Sequence, residues 1–96
     1  MVRLYEKYIL RFLEDPTFAQ LKEAMEKEDY ESAFRHAHTL KGVAGNLSMN
    51  TLLSLLTPFV DCLRGQKDII QAGKSFPAVQ AEYEAVIAAI RLANES

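Results

Sequence analysis

Two histidines, His36 and His38, and a lysine, Lys41, lie close together in the segment Phe34-Arg35-His36-Ala37-His38-Thr39-Leu40-Lys41-Gly42-Val43-Ala44-Gly45-Asn46-Leu47. A neutral imidazole carries a nucleophilic nitrogen, and an ordinary pKa of about 6.5 leaves that form dominant at neutral pH. On a helix, a residue three positions away is a surface neighbour. Lys41 is therefore placed to neutralise the oxygens of a phosphoryl group carried on His38. Arg35, three residues before His38, has the same reach, although a solvated charge is the favoured reading for it. The chemistry this set can support is covalent carriage of a phosphoryl group on a ring nitrogen. Metal binding fits poorly. Two residues apart on a helix, His36 and His38 point to different sides and cannot share one ion, and no paired Cys or Cys/His spacing supplies a zinc site. The lone cysteine, Cys62, sits in an apolar stretch and reads as a small buried hydrophobe.

At about 100° per residue, Ala33, Ala37, Leu40, Val43, Ala44 and Leu47 fall in one arc, which must face a core. His38 lies far from the centre of that arc, sharing the outer face with Arg35, Lys41, Gly42 and Gly45. His36 falls inside the arc's edge and is expected to be partly buried with a hydrogen-bond partner. Each glycine within a helix costs about 1 kcal/mol relative to alanine. Two of them turned away from the core, at positions 42 and 45, call for a reason other than close packing of a neighbouring helix. Open access to the imidazole is such a reason.

The elements that must hold this face are all helical. A first segment, Leu4 to Leu13, gathers Leu4, Tyr8, Ile9, Phe12 and Leu13 on one side. Asp15-Pro16 ends it and starts the next, Asp being a good N-cap and Pro suiting the first helical position. A second segment, about 18–27, carries Phe18, Leu21, Ala24 and Met25. Asp29 is placed to cap a third helix running roughly to Leu47. A fourth begins near Asn50 or Thr51, with Leu52, Leu55, Leu56, Phe59 and Leu63 as its stripe. Pro58 inside it calls for either a kink or a break, with Thr57 capping a new start. The chain is expected to turn around Gly73, after which Ser75 and Pro77 open a last helix bearing Phe76, Val79, Tyr83, Val86, Ile87 and Ile90. Such stripes can be buried only against one another. The expected fold is all-α, an antiparallel four-helix bundle with a short additional N-terminal helix.

The composition fits one soluble domain spanning residues 1–96. With 49% hydrophobic residues the 96-residue chain has material for one core. The net charge of −2, with acids and bases interspersed, argues against nucleic-acid binding and against a basic membrane-surface helix. One cysteine excludes an internal disulfide. The N-terminal residues lack the apolar stretch of a secretion signal, and no apolar run approaches the length of a membrane span. A cytoplasmic location is expected, as a free protein or as a module of a larger one. No nucleotide-binding glycine loop is present that would make the chain a kinase.

His38-Thr39-Leu40-Lys41-Gly42, followed by Ala44, Asn46 and Leu47, closely resembles the phosphoacceptor motif of histidine-containing phosphotransfer (HPt) domains, the relay modules of multistep two-component signalling. Phe12-Leu13-Glu14-Asp15 and Glu28-Asp29-Tyr30 look like the family's approach to the His helix. Leu52, Leu55 and Phe59 sit where its next helix carries core residues. The resemblance implies that His38 is phosphorylated on the ring nitrogen farther from the backbone. It implies that Lys41 stabilises the phosphoryl group and that Gly42 clears space for a partner. Arg35 and Gly45 are secondary candidates. The partner would be a receiver domain of a response regulator or hybrid sensor kinase. That receiver would supply the acceptor aspartate and the Mg2+, so this chain would need no cofactor and have no kinase activity. A monomer is expected, although the sequence leaves the oligomeric state open. Two positions depart from the family pattern. Ser48 stands where a glycine is common, ten residues after the phosphoacceptor. Val60 stands where the next helix often brings a polar Gln or Glu to the histidine, with Asp61 following, which leaves open what orients His38.

Two other readings remain in view. The histidine could be phosphorylated directly by a kinase catalytic domain. Alternatively, the chain could be a helical protein-interaction adaptor in which His38 is inert.

Overall fold

The computed structural model describes residues 2–95, with side chains described for 6–94. Among these the chain forms five α-helices and no strand: α1 (Val2–Glu14), α2 (Thr17–Glu26), α3 (Tyr30–Asn46), α4 (Asn50–Leu63) and α5 (Ile69–Glu95), with a single 3-10 turn at Arg64–Gln66. Neighbours along the chain pack on one another from α2 to α5, and α1 lies against α5. Short connections force successive helices of the bundle to run antiparallel. The 27 residues of α5 span about 40 Å at 1.5 Å each, which accounts for the molecule's 42 Å long axis.

Local chemistry explains most helix ends. The Asp15 carboxylate accepts from the Thr17 N–H at 2.8 Å and from its hydroxyl, so it satisfies the start of α2 from just before it, with Pro16 at the N-cap position between them. Asp29 caps α3 by accepting from the Ser32 N–H at 3.2 Å. At the far end of α3, the Met49 N–H bonds to the Ala44 carbonyl and the Ser48 N–H to that of Gly45. This pairing closes the last turn and places Ser48 in the left-handed region, at φ 58°.

The core is apolar and graded in size. Ala33, Ala37, Leu40 and Ala44 of α3 are buried, and three of the four are alanines. Facing elements supply the bulk: Leu21 and Phe18 from α2, Leu52, Leu56, Phe59, Val60 and Leu63 from α4, and Val79 from α5. Small against large lets the helices approach closely without voids. Aromatic rings close the bundle on the α5 side. Phe18 stacks on Tyr83 at 4.1 Å and lies 5.9 Å from Phe76, Phe59 meets Phe76 at 5.7 Å, and Phe12 of α1 meets Tyr83 at 5.6 Å.

Three sequence-based expectations need correction. First, of the kink or break expected at Pro58, the break is absent: α4 continues through the proline, and Thr57 caps no new helix, its hydroxyl donating to the Leu53 carbonyl at 2.8 Å. The proline and Ser54, whose carbonyl loses its ladder partner, are both exposed, so the lost hydrogen bond lies on the solvent side of the helix rather than in the core. Second, the chain does not turn at Gly73, and α5 starts not near Ser75 but at Ile69. The reversal lies earlier, where Gly65 and Gln66 have φ of 61° and 54°, and Asp68 accepts from the Gln71 N–H at 3.1 Å to cap α5. Pro77 is tolerated inside α5 for the same reason as Pro58. It is exposed, as is Gly73 one turn earlier. Third, in α1 Phe12 is buried and Ile9 half-buried as expected, but Tyr8 is exposed, with Arg11 over its ring at 5.8 Å; the Leu4 side chain lies outside the described residues.

A left-handed conformation at a non-glycine residue costs about 1 kcal/mol. Ser48→Gly is therefore expected to raise the unfolding midpoint by about 4–8 °C in a domain of this size. Thermal unfolding followed by circular dichroism checks this, and an unchanged or lower midpoint contradicts it.

Candidate functional site

The site is the outer face of α3. Burial of Ala33, Ala37, Leu40 and Ala44 fixes the rotation of this helix and leaves His38, Thr39, Gly42, Gly45 and Asn46 exposed. Lys41 is half-buried, and among the described residues no carboxylate pairs with it. Lys41 follows His38 by about one helical turn on α3. A Cβ built on Gly42 would meet nothing within 4 Å, which removes helix packing as the reason for that glycine. At Gly45 the nearest atoms are the Leu53 methyls, at 3.9 and 4.0 Å, so this glycine sits at the seam between α3 and α4 in ordinary contact.

The remaining sequence candidates separate cleanly. Arg35 turns back along its own helix, 3.4 Å from Glu31 and donating to the Ser32 hydroxyl at 3.0 Å. It lies with the helix start rather than with His38. His36 is half-buried as expected, but no hydrogen bond to its ring is found among the described residues. It borders a polar recess with Gln20, Glu23, Lys27, Asp29 and Ser32, where Lys27 and Glu23 pair at 2.7 Å. His36 and His38 thus belong to different faces. Among the described residues no cluster of His, Cys, Asp and Glu is arranged to hold a metal.

Val60 is fully buried in the core. Asp61 is exposed and lies 3.9 Å from Arg64. Among the described residues no side chain hydrogen-bonds the His38 ring. What touches it is Phe34, one turn back on α3, with ring centroids 5.9 Å apart and planes tilted by 43°. The Arg64 guanidinium, from the end of α4, lies 5.1 Å from the centre of the same Phe34 ring. Neither Phe34 nor Arg64 stood out as a site residue in the sequence. The four-residue step from Phe34 to His38 is a signal that was there to read. Arg64 could be found only once the α4–α5 reversal was known to lie beside the start of α3.

The family model of the Hpt domain matches residues 13–89. This chain is an Hpt domain. Hpt domains are phosphotransfer modules of two-component signalling, phosphocarriers rather than kinases, and they interact with receiver domains. The match begins at the end of α1 and stops inside α5, so most of α1 lies outside it. Neither the curated proteins nor the solved structures compared with the chain gave a match. Among the described residues no helix is long and apolar enough to cross a membrane.

The cap of the Hpt domain's α3 carries a pH dependence. Hydrogen bonds from the Ser32 hydroxyl and N–H hold the Asp29 carboxyl below its ordinary value, with the charges of Arg35 and His36 adding to the effect. A depressed folded-state pKa means that the charged cap stabilises the fold above the unfolded value of about 3.9. That contribution is lost as pH falls through the folded-state value. Asn caps a helix as well as Asp but does not titrate. Asp29→Asn is thus expected to unfold at a lower temperature than the wild type at neutral pH, and the difference should vanish on acidification. Melting curves across pH 2–7 (about the span of the carboxylate titration) check this; a constant difference refutes the charge contribution.

Proposed function

We propose that residues 1–96 form one phosphorelay module in which His38 accepts a phosphoryl group from a receiver phosphoaspartate and returns one to another receiver's aspartate. The observation that carries this reading is an exposed imidazole on a fixed helix face, one turn before a glycine with open space above it, in an Hpt domain. The neutral His38 ring would attack phosphorus with Nε2 while Nδ1 holds the proton. The N–P bond forms as the acyl phosphate O–P bond breaks, and the aspartate carboxylate leaves. In a loose, highly charged transition state, positioning and charge neutralisation do most of the work. Lys41, with no carboxylate to hold it among the described residues, is the residue assigned to neutralise the phosphoryl oxygens. Gly42 lets the receiver backbone approach, and Gly45 extends that open strip. Arg35, tied to Glu31 and Ser32, has no part in this scheme. Mg2+ and the acidic residues around the aspartate belong to the receiver. The module works as a monomer in the cytoplasm, and the relay direction is set by which receivers are phosphorylated.

The first test mixes the protein with a receiver domain carrying radiolabelled phosphoaspartate. Acid-labile, alkali-stable label is expected on the wild type and none on His38→Gln. Label persisting on that variant moves the acceptor elsewhere, His36 first. A folded wild-type protein that takes no label from any receiver favours the inert adaptor.

Gly42 separates stability from function. Gly42→Ala is expected to stabilise the helix by about 0.5–1 kcal/mol, because its methyl meets open space. Gly42→Gln should fold as well as the wild type but transfer at least about tenfold more slowly, since a misplacement of about 1 Å at a reacting centre can cost about 100-fold. Chemical denaturation and single-turnover transfer read the two effects separately. Transfer at the wild-type rate by Gly42→Gln would rule out the access role.

A further inference from the structure

The imidazole of His38 is exposed and unbonded by any described side chain, yet an in-line attack needs the ring held at one angle. We propose that Phe34 is the positioning residue for the His38 imidazole and that Arg64 holds Phe34 in place. This deepens the relay reading and rests on His38 being the acceptor.

Four observations support it. Side chains on a helix lean toward the preceding turn, so a ring at 38 is directed onto the side chain at 34. The two rings are 5.9 Å apart at 43°, inside the range of favourable tilted aromatic pairs. Phe34 is half-buried and packs against the core, so it is a fixed surface rather than a mobile one. Arg64 lies 5.1 Å from the Phe34 centroid, within cation–π range. Arg64 is itself anchored at the helix end beside Gly65, whose left-handed φ turns the chain there, and Asp61 lies 3.9 Å from its guanidinium. Val60, standing where the family pattern often has a polar residue near the histidine, is sealed in the core. The tilted ring contact therefore takes up the orienting task that a hydrogen bond would otherwise perform. A ring held by such a contact keeps both nitrogens free: Nε2 for phosphorus, Nδ1 for its proton.

The test uses the full chain and the variants Phe34→Leu, Phe34→Tyr and Arg64→Gln, each checked for folding by circular dichroism. The first readout is the proton chemical shifts of the unphosphorylated His38 ring. The second is single-turnover transfer from a phosphorylated receiver as a function of receiver concentration. In Phe34→Leu the ring shifts should move toward those of an unstructured histidine. The rate at saturating receiver should fall about 5–10-fold, with the half-saturating concentration unchanged. Phe34→Tyr should restore both, and Arg64→Gln should give a smaller loss of the same kind. An unchanged saturating rate in folded Phe34→Leu overturns the proposal, as does a loss confined to the half-saturating concentration. Failure of the relay reading is distinguishable: it shows as label on His38→Gln, whereas the shift readout needs no phosphoryl transfer.

Discussion

Everything at the candidate site depends on which way α3 is rotated, and that rotation is set by burial of a narrow arc of small side chains. Ala33, Ala37, Leu40 and Ala44 are all within 1% of full burial. Turning the helix by one residue, about 100°, would draw Leu40 out of the core at a cost of about 1.5–3 kcal/mol. It would also force His38 or Lys41 toward an apolar interior that offers no partner. The alanines matter as much as the leucine. Their size brings α2 and α4 close against α3, so the bulky residues of α4 reach past them and leave no space for α3 to slip. A rigid core arc and an open outer strip are two consequences of the same distribution of side-chain volume along one helix.

The second constraint is where the chain reverses. The caps at Asp15, Asp29 and Asp68 use the same device, a carboxylate accepting from backbone N–H groups that a helix start leaves unpaired. Left-handed residues at Glu28, Ser48 and Gly65 close the other ends. The reversal at Arg64–Asp68 has a further effect on the site. By ending α4 one turn beyond Val60, it delivers Arg64 to the Phe34 ring at the base of the His38 turn. A loop that looks merely connective thus determines which side chain flanks the Phe34 ring.

The legibility of the sequence followed the range of the forces involved. The caps at Asp15 and Asp29, the stripe of α3, the exposure of His38 and the half-burial of His36 come from local periodicity and short-range hydrogen bonding, and all were readable. The prolines misled because a helix-breaking tendency is weighed against tertiary context. Pro58 and Pro77 sit on exposed faces, where a lost ladder hydrogen bond faces solvent, while the residues beside them, Phe59 and Val79 among them, are locked in the core. Gly73 misled for the same reason. The true turn was marked by Gly65 next to charged and polar residues and by the Asp68 cap, a signal of equal strength that the pattern of prolines obscured. Arg64 against Phe34 is a contact between residues thirty positions apart. No window of local sequence contains it.

The chain belongs to the Hpt family, and in the relay reading proposed above His38 is the nucleophile whose surroundings the geometry describes. A phosphocarrier must expose its nucleophile to a partner and still hold it in one orientation, and these requirements conflict, because exposure removes the neighbours that restrain a side chain. Here the conflict is divided along the helix axis. On the C-terminal side of His38, Gly42 strips the surface back to the backbone and Gly45 continues it to the seam with α4. On the N-terminal side, Phe34 presents a half-buried ring fixed by the core below and by Arg64 beside it. Because helical side chains lean toward the N-terminus, the support lies on the side toward which the imidazole already falls, and the clearance lies on the side from which a partner can come. The direction of the helix, as much as the identity of its residues, leaves His38 exposed on one side and beside an aromatic ring on the other.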